Sequence, residues 1–368
     1  MSGEVESKPA DKLPALPPVE APTGTFILQL FLIPLVIVSI VVLLWLMFSW
    51  MAHMGRDNPA TIVRQLKKLD DNSWQRAYEL ADLLRSPDPK YDELRRDSAL
   101  CQELCSLLEA DLATPARGKE DKSRVQRRMF LCRAIGSFHV MDGLPILVRC
   151  AGEERSLVEA EVRLSALEAI STLARNVGPE KIQAEEKVME VVLAASKQTD
   201  DEEPPPIANG NDAPFVYRPH SEVRAVAAYT LGIVGGEEAS ERLAMMLHDL
   251  YPNARYNAAT GLARQGDARC IPILREMLQP DNKFAAQDER GEKDKDNKRS
   301  TVIRNGIQAT VLLAQKNPQA DVAPLKAALE TLVKSDLANI KVDRSKLQIA
   351  AKEGLHLLEA AHQPAKKN

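Results

Sequence analysis

The chain has 368 residues, of which 45% are hydrophobic but only 4% aromatic, and its formal net charge at pH 7 is −4. The apolar residues are therefore mainly Ala, Leu, Val and Ile, a composition typical of stacked helices rather than of a β-sandwich. The small acidic excess argues against nucleic-acid binding through a broad basic face, although it is compatible with a local basic patch.

A long apolar segment follows a Pro-rich N-terminal tail, residues 1–24, which we expect to be disordered. No charged residue lies between Glu20 and Arg56, and about 20 apolar residues suffice for a helix that spans a bilayer. The sequence therefore predicts a single transmembrane helix over residues 25–54, with membrane contact from Phe26 to Ala52.

A cleaved signal peptide is the alternative interpretation of this segment. The apolar run is longer than the roughly 7–15 residues of a signal h-region. The preceding tail is not basic, and no small-x-small cleavage site follows the run. These features favour a retained membrane anchor.

Basic residues near the two ends of the segment predict its orientation. The C-terminal side carries Arg56, Arg64, Lys67 and Lys68, whereas the tail has two lysines. Because cytoplasmic flanks carry the excess of Lys and Arg, we expect the tail outside and the C-terminal part at the cytoplasmic face of the inner membrane. Five cysteines without a disulfide framework agree with this placement. The short linker at 55–58 makes the four basic side chains candidate contacts of anionic lipid headgroups.

A recurring pattern fills the chain after the apolar segment. It consists of an arginine, a pair of alanines, a leucine and a glycine. Two copies lie 31 positions apart, at Arg224, Ala227-Ala228, Leu231 and Gly235 and at Arg255, Ala258-Ala259, Leu262 and Gly266. Apolar positions at this spacing lie on one helix face, which a single helix pair can bury only by stacking on another pair.

These residues resemble the HEAT and HEAT-like repeats, an armadillo-type family, and the segment from Asp249 to Asp267 is the most similar part. The resemblance covers roughly residues 59–361 and extends to uncharacterised membrane-anchored HEAT-repeat proteins of bacteria. It implies an all-α fold: an α-solenoid of about seven helix pairs that binds partners and is usually not catalytic.

The predicted solenoid occupies residues 57–362, ahead of a disordered tail at 363–368. Its helix pairs are predicted at 59–69 with 74–85, 92–112 with 122–138, 142–151 with 156–177, 180–198 with 220–234, 237–249 with 253–265, 268–279 with 301–316, and 320–335 with 344–361. Two polar insertions, near 199–219 and 280–300, are predicted as loops. They either form a shared binding rim or are simply solvated and mobile.

The sequence contains no recognisable catalytic motif. It has no HExxH pair, phosphate-binding loop, dinucleotide fingerprint or GxSxG elbow. Cys101 and Cys105 share a helix face, so a metal site is the alternative to buried structural thiols there. We therefore expect no enzyme activity, no cofactor, no metal, no nucleic-acid partner and no small-molecule substrate.

Three arginines recur at one position of the repeat: Arg163, Arg224 and Arg255. One interpretation is a basic ladder for an acidic partner. The other is structural, with each arginine bonded to a carbonyl or carboxylate of an adjacent turn, such as Asp249. The resemblance to HEAT repeats favours the structural interpretation.

A second set of residues is the candidate partner-binding face. The resemblance implies that the second helix of each pair lines the concave surface of the solenoid. Tyr and Arg are enriched at binding hot spots, which makes Tyr229, Tyr256, Thr260 and Arg264 the candidates. The alternative is that Tyr229 only packs against the neighbouring repeat.

The leading functional hypothesis is a single-pass membrane-anchored scaffold or adaptor that binds a protein partner, of unknown identity, at the cytoplasmic membrane surface. One alternative is a HEAT-like enzyme or enzyme accessory of the lyase type. Another is an envelope or periplasmic adaptor with the reversed topology.

Overall fold

The computed structural model describes residues 23–54, 59–68, 70, 72–116, 121–153, 159–197, 219–287, 289, 291–337 and 340–361. The predicted N-terminal tail up to residue 22, Arg56, the insertion at 199–218 and the C-terminal tail lie outside these residues. The chain divides into two units, Met1–Asn58 and Pro59–Asn368, and each is described by itself.

The first unit contains one helix, α1 (Gly24–Met54), with Pro34 inside it. At a rise of 1.5 Å per residue, a helix of this length measures roughly 45 Å. Its segment Leu30–Ser49 has a mean hydropathy of 3.0, and every side chain from Leu30 to Phe48 is exposed. This helix has the length and composition of a membrane anchor or of a signal sequence.

The second unit is built from helices, with no strand among its described residues. They are α2 (Pro59–Leu66), α3 (Ser73–Arg85), α4 (Asp92–Arg95), α5 (Ser98–Leu112), α6 (Lys122–Gly136), α7 (Leu144–Gly152), α8 (Ala160–Val177), α9 (Pro179–Gln183), α10 (Glu186–Ala195), α11 (Pro219–Val234), α12 (Glu237–Met246), α13 (Pro252–Gln265), α14 (Ile271–Met277), α15 (Glu292–Lys316), α16 (Ala323–Lys334) and α17 (Arg344–Ala361). Seven pairs pack together: α2 with α3, α5 with α6, α7 with α8, α10 with α11, α12 with α13, α14 with α15, and α16 with α17. The predicted all-α solenoid is confirmed.

The second helices of the pairs form a continuous inner row, in which α3, α6, α8, α11, α13, α15 and α17 each contact the next. Small residues let this row pack closely. A Cβ on Gly232 of α11 would lie 2.5 Å from the Cα of Gly261 of α13, and a Cβ on Gly136 of α6 would lie 2.6 Å from the Cα of Ala169 of α8. Backbones therefore touch at these two crossings, where any larger side chain would collide.

The recurring arginines bond within and between repeats. Arg224 donates to both carboxylate oxygens of Asp249, at 3.0 and 3.2 Å, in a buried pair. Arg255 donates to the Asp249 carbonyl at 2.8 Å, and Arg163 donates to the Ala151 carbonyl at 2.7 Å. These bonds are those of the structural interpretation. Arg163 and Arg255 fix the second helix of a pair against the chain that precedes it, whereas Arg224 reaches forward to the turn of the next repeat.

The predicted loop at 280–300 requires a correction, because helix α15 begins at Glu292. The charged residues of this stretch form pairs one helical turn apart, with Lys295 Nζ 3.0 Å from Glu292 and an Arg299 Nη1 to Asp296 distance of 3.2 Å. Such pairs support a helix. Ser300 also anchors it, donating at 3.0 Å to the carbonyl of Val342. Dense charge here belongs to the first turns of a helix, and residues 278–291 join α14 to α15.

Candidate functional site

An open cavity of about 550 Å³ lies along the inner row of helices. Its lining comes from five successive inner helices, from Arg85 at the end of α3 to Asn257 in α13. The cavity therefore extends along five helices of the inner row, the helices that the resemblance to HEAT repeats places on the concave side of a solenoid.

Three arginines dominate the charge of this cavity. Arg85, Arg133 and Arg175 line it, against the single carboxylate of Glu168. Arg133 Nη2 lies 3.5 Å from that carboxylate, and its guanidinium stands over the Phe130 ring at 5.6 Å. Within the described residues, no carboxylate pairs with Arg85 or Arg175. We call this cavity, with its three lining arginines, the arginine bowl.

Arg264 of α13 adds a fourth positive charge beside the bowl. Burial lowers its pKa, and Tyr229 and Arg175 are the charged or ionisable groups that act on it through space. Its Nη1 donates to the Gly232 carbonyl at 3.4 Å. Tyr229 itself lines the bowl. Two of the four predicted face residues, Tyr229 and Arg264, therefore lie at this site, together with arginines of other repeats.

The other two predicted face residues behave differently. Thr260 is half-buried, and its hydroxyl donates to the Asn257 carbonyl of its own helix at 3.0 Å. Tyr256 is only 4% exposed. Its hydroxyl donates to Glu276 at 2.8 Å and accepts from Asn282 at 2.9 Å. Tyr256 is thus a core residue, and its assignment to an exposed binding face is wrong.

The physical reason is the segment that follows α14. Asn282 is buried and its side chain also donates to the Glu276 carbonyl at 3.1 Å. The Arg255 guanidinium stands 5.7 Å from the Tyr256 ring and 5.6 Å from the Phe284 ring. The turn after α14 therefore folds over this end of α13, and burial raises the pKa of Tyr256 above its ordinary value.

The candidate lipid contacts lie at the start of the second unit, with Arg56 outside the described residues. Arg64 and Lys68 are exposed. Lys67 is exposed as well, and its ammonium pairs with Glu103 of α5. A surface pair of this kind is weak, so Lys67 retains access to other anions.

Four of the five cysteines are buried, and Cys105 is half-buried. Cys101 is buried against the half-buried Cys105, and the hydrogen bond between the two thiols raises the pKa of Cys101. No group of three or more His, Cys, Asp or Glu side chains that could hold a metal ion occurs in the part of the chain that the structure describes.

The sequence-based expectation missed Arg85, Arg133 and Arg175, although a signal was present. Arg128 occupies the position of the repeat arginine in α6, three and seven residues before Leu131 and Ile135. Counted from the repeat arginine of each helix, Arg133 lies 5 positions after Arg128, Arg175 lies 12 after Arg163, and Arg264 lies 9 after Arg255. At about 100° per residue these offsets fall within roughly 60° of one another around the helix. The same face of α6, α8 and α13 thus carries Arg133, Arg175 and Arg264, whereas no repeat arginine is assigned in α3 from which Arg85 could be counted.

Comparison with known proteins gives one family. The model described as PBS lyase HEAT-like repeat matches residues 254–280, which comprise most of α13 together with α14. No curated protein matches the chain. Among solved structures, the X-ray structure of Escherichia coli YibA is 16% identical, covers 82% of this chain and 97% of its own, and has a TM-score of 0.30.

Proposed function

Because this chain is a HEAT-like repeat protein, we propose that it is a non-catalytic scaffold, held at a membrane by α1, whose inner helices bind a protein partner. The observation that carries the proposal is the arginine bowl, a concave site to which five successive inner helices contribute side chains. Stacked repeats create extended concave surfaces of this kind, and repeat proteins use them for binding.

The side chains at the bowl support a protein as the partner. Arg and Tyr are over-represented among residues that carry binding energy in protein interfaces. Here Arg133 and Tyr229 both line the bowl, and Arg264 stands beside Tyr229. Each comes from a different repeat, so a partner that fills the bowl contacts several repeats at once.

The exposed apolar side chains of α1 support the membrane part of the proposal. Its orientation rests on the excess of lysine and arginine at the C-terminal flank of the apolar segment. We propose that the second unit is cytoplasmic. Protease added to sealed cells will then leave it intact, and protection will be lost when the membrane is opened. Cleavage from outside sealed cells would support an envelope adaptor instead.

The lyase-type alternative gains no support from the family name. The matched model describes a repeat, and the matched residues 254–280 form helices that pack within the solenoid. The proposal therefore assigns the chain no catalytic step.

Proximity labelling from the C-terminus tests the scaffold proposal. The full chain is compared with a version that lacks residues 1–56 and with a matched version in which α1 is replaced by an unrelated apolar span. We expect the same neighbours for the first and third proteins, and loss of the membrane-associated ones for the second. An identical set of neighbours for all three would refute membrane recruitment.

A further inference from the structure

We propose that the arginine bowl binds a negatively charged peptide segment of the partner protein, one that carries clustered carboxylate or phosphate groups. The proposal rests on the proposed function only in taking the partner to be a protein. It adds the site, the residues and the chemistry of the partner that the site selects.

Charge is the first argument. The chain as a whole has a formal net charge of −4, yet the bowl and its edge bring together Arg85, Arg133, Arg175 and Arg264 against Glu168. A concave site lined by one sign of charge concentrates the field and raises the local concentration of oppositely charged groups. The local excess of positive charge therefore selects an anionic ligand although the chain is acidic.

The state of the guanidinium groups is the second argument. Arg85 and Arg175 are exposed, and neither pairs with a carboxylate among the described residues. Arg133 is held in place by the Phe130 ring and by Glu168. Guanidinium groups match carboxylate and phosphate in a two-bond geometry, and a side chain already held in position loses less entropy on binding.

A hydroxyl group that lines the bowl favours a peptide over other polyanions. Ser137, Ser171 and Thr172 donate to carbonyls of their own helices, at 2.8, 2.7 and 3.0 Å. Ser137 and Ser171 are buried, whereas Thr172 is half-buried and its oxygen also accepts from Arg175 Nη2 at 3.5 Å. The remaining lone pair of Thr172 can accept a peptide N–H while the arginines bind acidic side chains, whereas a phosphodiester backbone supplies no such donor.

The small number of cations also separates a peptide from nucleic acid. A track that neutralises a phosphate backbone uses many cationic contacts along an extended groove. The bowl and its edge offer four arginines, three of which line a volume of about 550 Å³. That volume suits a few acidic side chains and the backbone between them.

Fluorescence anisotropy on the full chain in detergent micelles tests the proposal. The labelled probes are octaglutamate, an octapeptide with alternating phosphoserine, octalysine and a twelve-residue oligothymidine. We expect saturable binding of one or both acidic peptides, weaker at high salt, and no binding of octalysine. The ratio of the dissociation constants of octaglutamate and the phosphoserine peptide shows whether the site prefers carboxylate or phosphate groups. Tighter binding of oligothymidine than of either acidic peptide would overturn the proposal.

Paired variants locate the site. R133Q/R175Q removes two charges from the bowl, and we expect it to weaken binding of the acidic peptide by about tenfold or more. R96Q/R275Q removes the same charge from exposed positions elsewhere. We expect its dissociation constant for the acidic peptide to stay within about twofold of the wild-type value. Equal losses in the two variants would show general electrostatic attraction and refute a site at the bowl.

A charge-reversed variant separates lost binding from lost folding. R133E/R175E should bind octalysine and reject octaglutamate, whereas R96E/R275E, which has the same net charge, should still bind octaglutamate and bind octalysine less tightly. Proximity labelling with R133Q/R175Q then distinguishes the two proposals. If the neighbours are unchanged and the peptides do not bind, the acidic-peptide site is refuted but the scaffold proposal is not. If the peptides bind and the neighbours do not depend on α1, membrane recruitment is refuted but the acidic-peptide site is not.

Discussion

Burial decides how much each arginine–carboxylate pair stabilises this fold, and two pairs of nearly equal geometry allow a direct test. Arg224 meets Asp249 with two bonds of 3.0 and 3.2 Å. Arg269 meets Glu241 with two bonds of 2.9 and 3.2 Å. The side chains of the first pair are 2% and 5% exposed, those of the second 45% and 61%.

The expected magnitudes follow from that contrast. D249N leaves the Arg224 guanidinium facing a neutral amide in a buried site, and removing one partner of a buried pair costs about 3–5 kcal/mol. The Asp249 carboxylate also accepts the Tyr251 N–H at 2.8 Å, and the amide oxygen of the variant can still accept it. The loss of stability in D249N therefore measures the ion pair with Arg224. E241Q breaks an exposed pair that water and salt already weaken, and Arg269 keeps its 2.6 Å contact with Asp267. We therefore expect almost no loss of stability.

Hydrogen exchange followed by mass spectrometry on the full chain measures both variants. At about tenfold per 1.4 kcal/mol, D249N should speed the exchange of protected amides in α11 and α13 by roughly a hundredfold or more. E241Q should change exchange in α12 by less than about threefold. The double variant R224M/D249N, which buries no charge, should recover much of the loss. Equal small effects of D249N and E241Q would refute the argument from burial.

Three further predictions concern single positions. G261A places a Cβ 2.9 Å from the Cα of Gly232, and we expect it to lower the free energy of unfolding by about 1–3 kcal/mol in chemical denaturation; no loss would mean that the crossing relaxes freely. Y256F removes a buried hydroxyl with two hydrogen bonds and should lower the free energy of unfolding by about 1–3 kcal/mol. Binding of the acidic peptide should stay unchanged. Weaker binding would show that Tyr256 belongs to the partner-binding face after all. A hydrogen bond donated by Gln102 holds the pKa of Asp142 below its ordinary value, so the ionised carboxylate stabilises the fold above the unfolded-state pKa and this contribution is lost as pH falls through the lower folded value. The melting-temperature difference between wild type and D142N should therefore shrink below about pH 4, and a pH-independent difference would contradict it.

The seven helix pairs could be predicted from the sequence because they depend on a local rule. Apolar residues at helical spacing define the buried face of each helix, and small residues such as Gly232 allow the neighbour to approach. The structure places a helix within each predicted segment of 59–361. The loop prediction was wrong for the charged stretch at 292–300, because the same composition occurs in solvated loops and on the polar side of helices. Contacts such as that of Ser300 with Val342 hold this stretch as a helix, and they join residues far apart in sequence.

The candidate site was only half predictable for the same reason. Tyr229 and Arg264 follow the repeat arginine at the spacing of one helix face, and that face does line the bowl. Tyr256 immediately follows Arg255, and its burial depends on the turn after α14, which no periodicity encodes. Arg85 and Arg175 line the same cavity although they belong to different repeats, and the geometry between repeats is the sum of small rotations that no single repeat encodes.

The contact between Gly232 and Gly261 also limits how the repeat stack can bend. A solenoid changes shape by small rotations between adjacent pairs, and soft side chains usually absorb the motion. At this crossing main-chain atoms meet main-chain atoms, and packed protein interiors compress very little. Rotation that would press the two helices together therefore meets main chain, which yields less than a side chain does. Rotation that separates them would expose the buried alanines and leucines of α11 and α13, so we expect this crossing to be a rigid point of the stack.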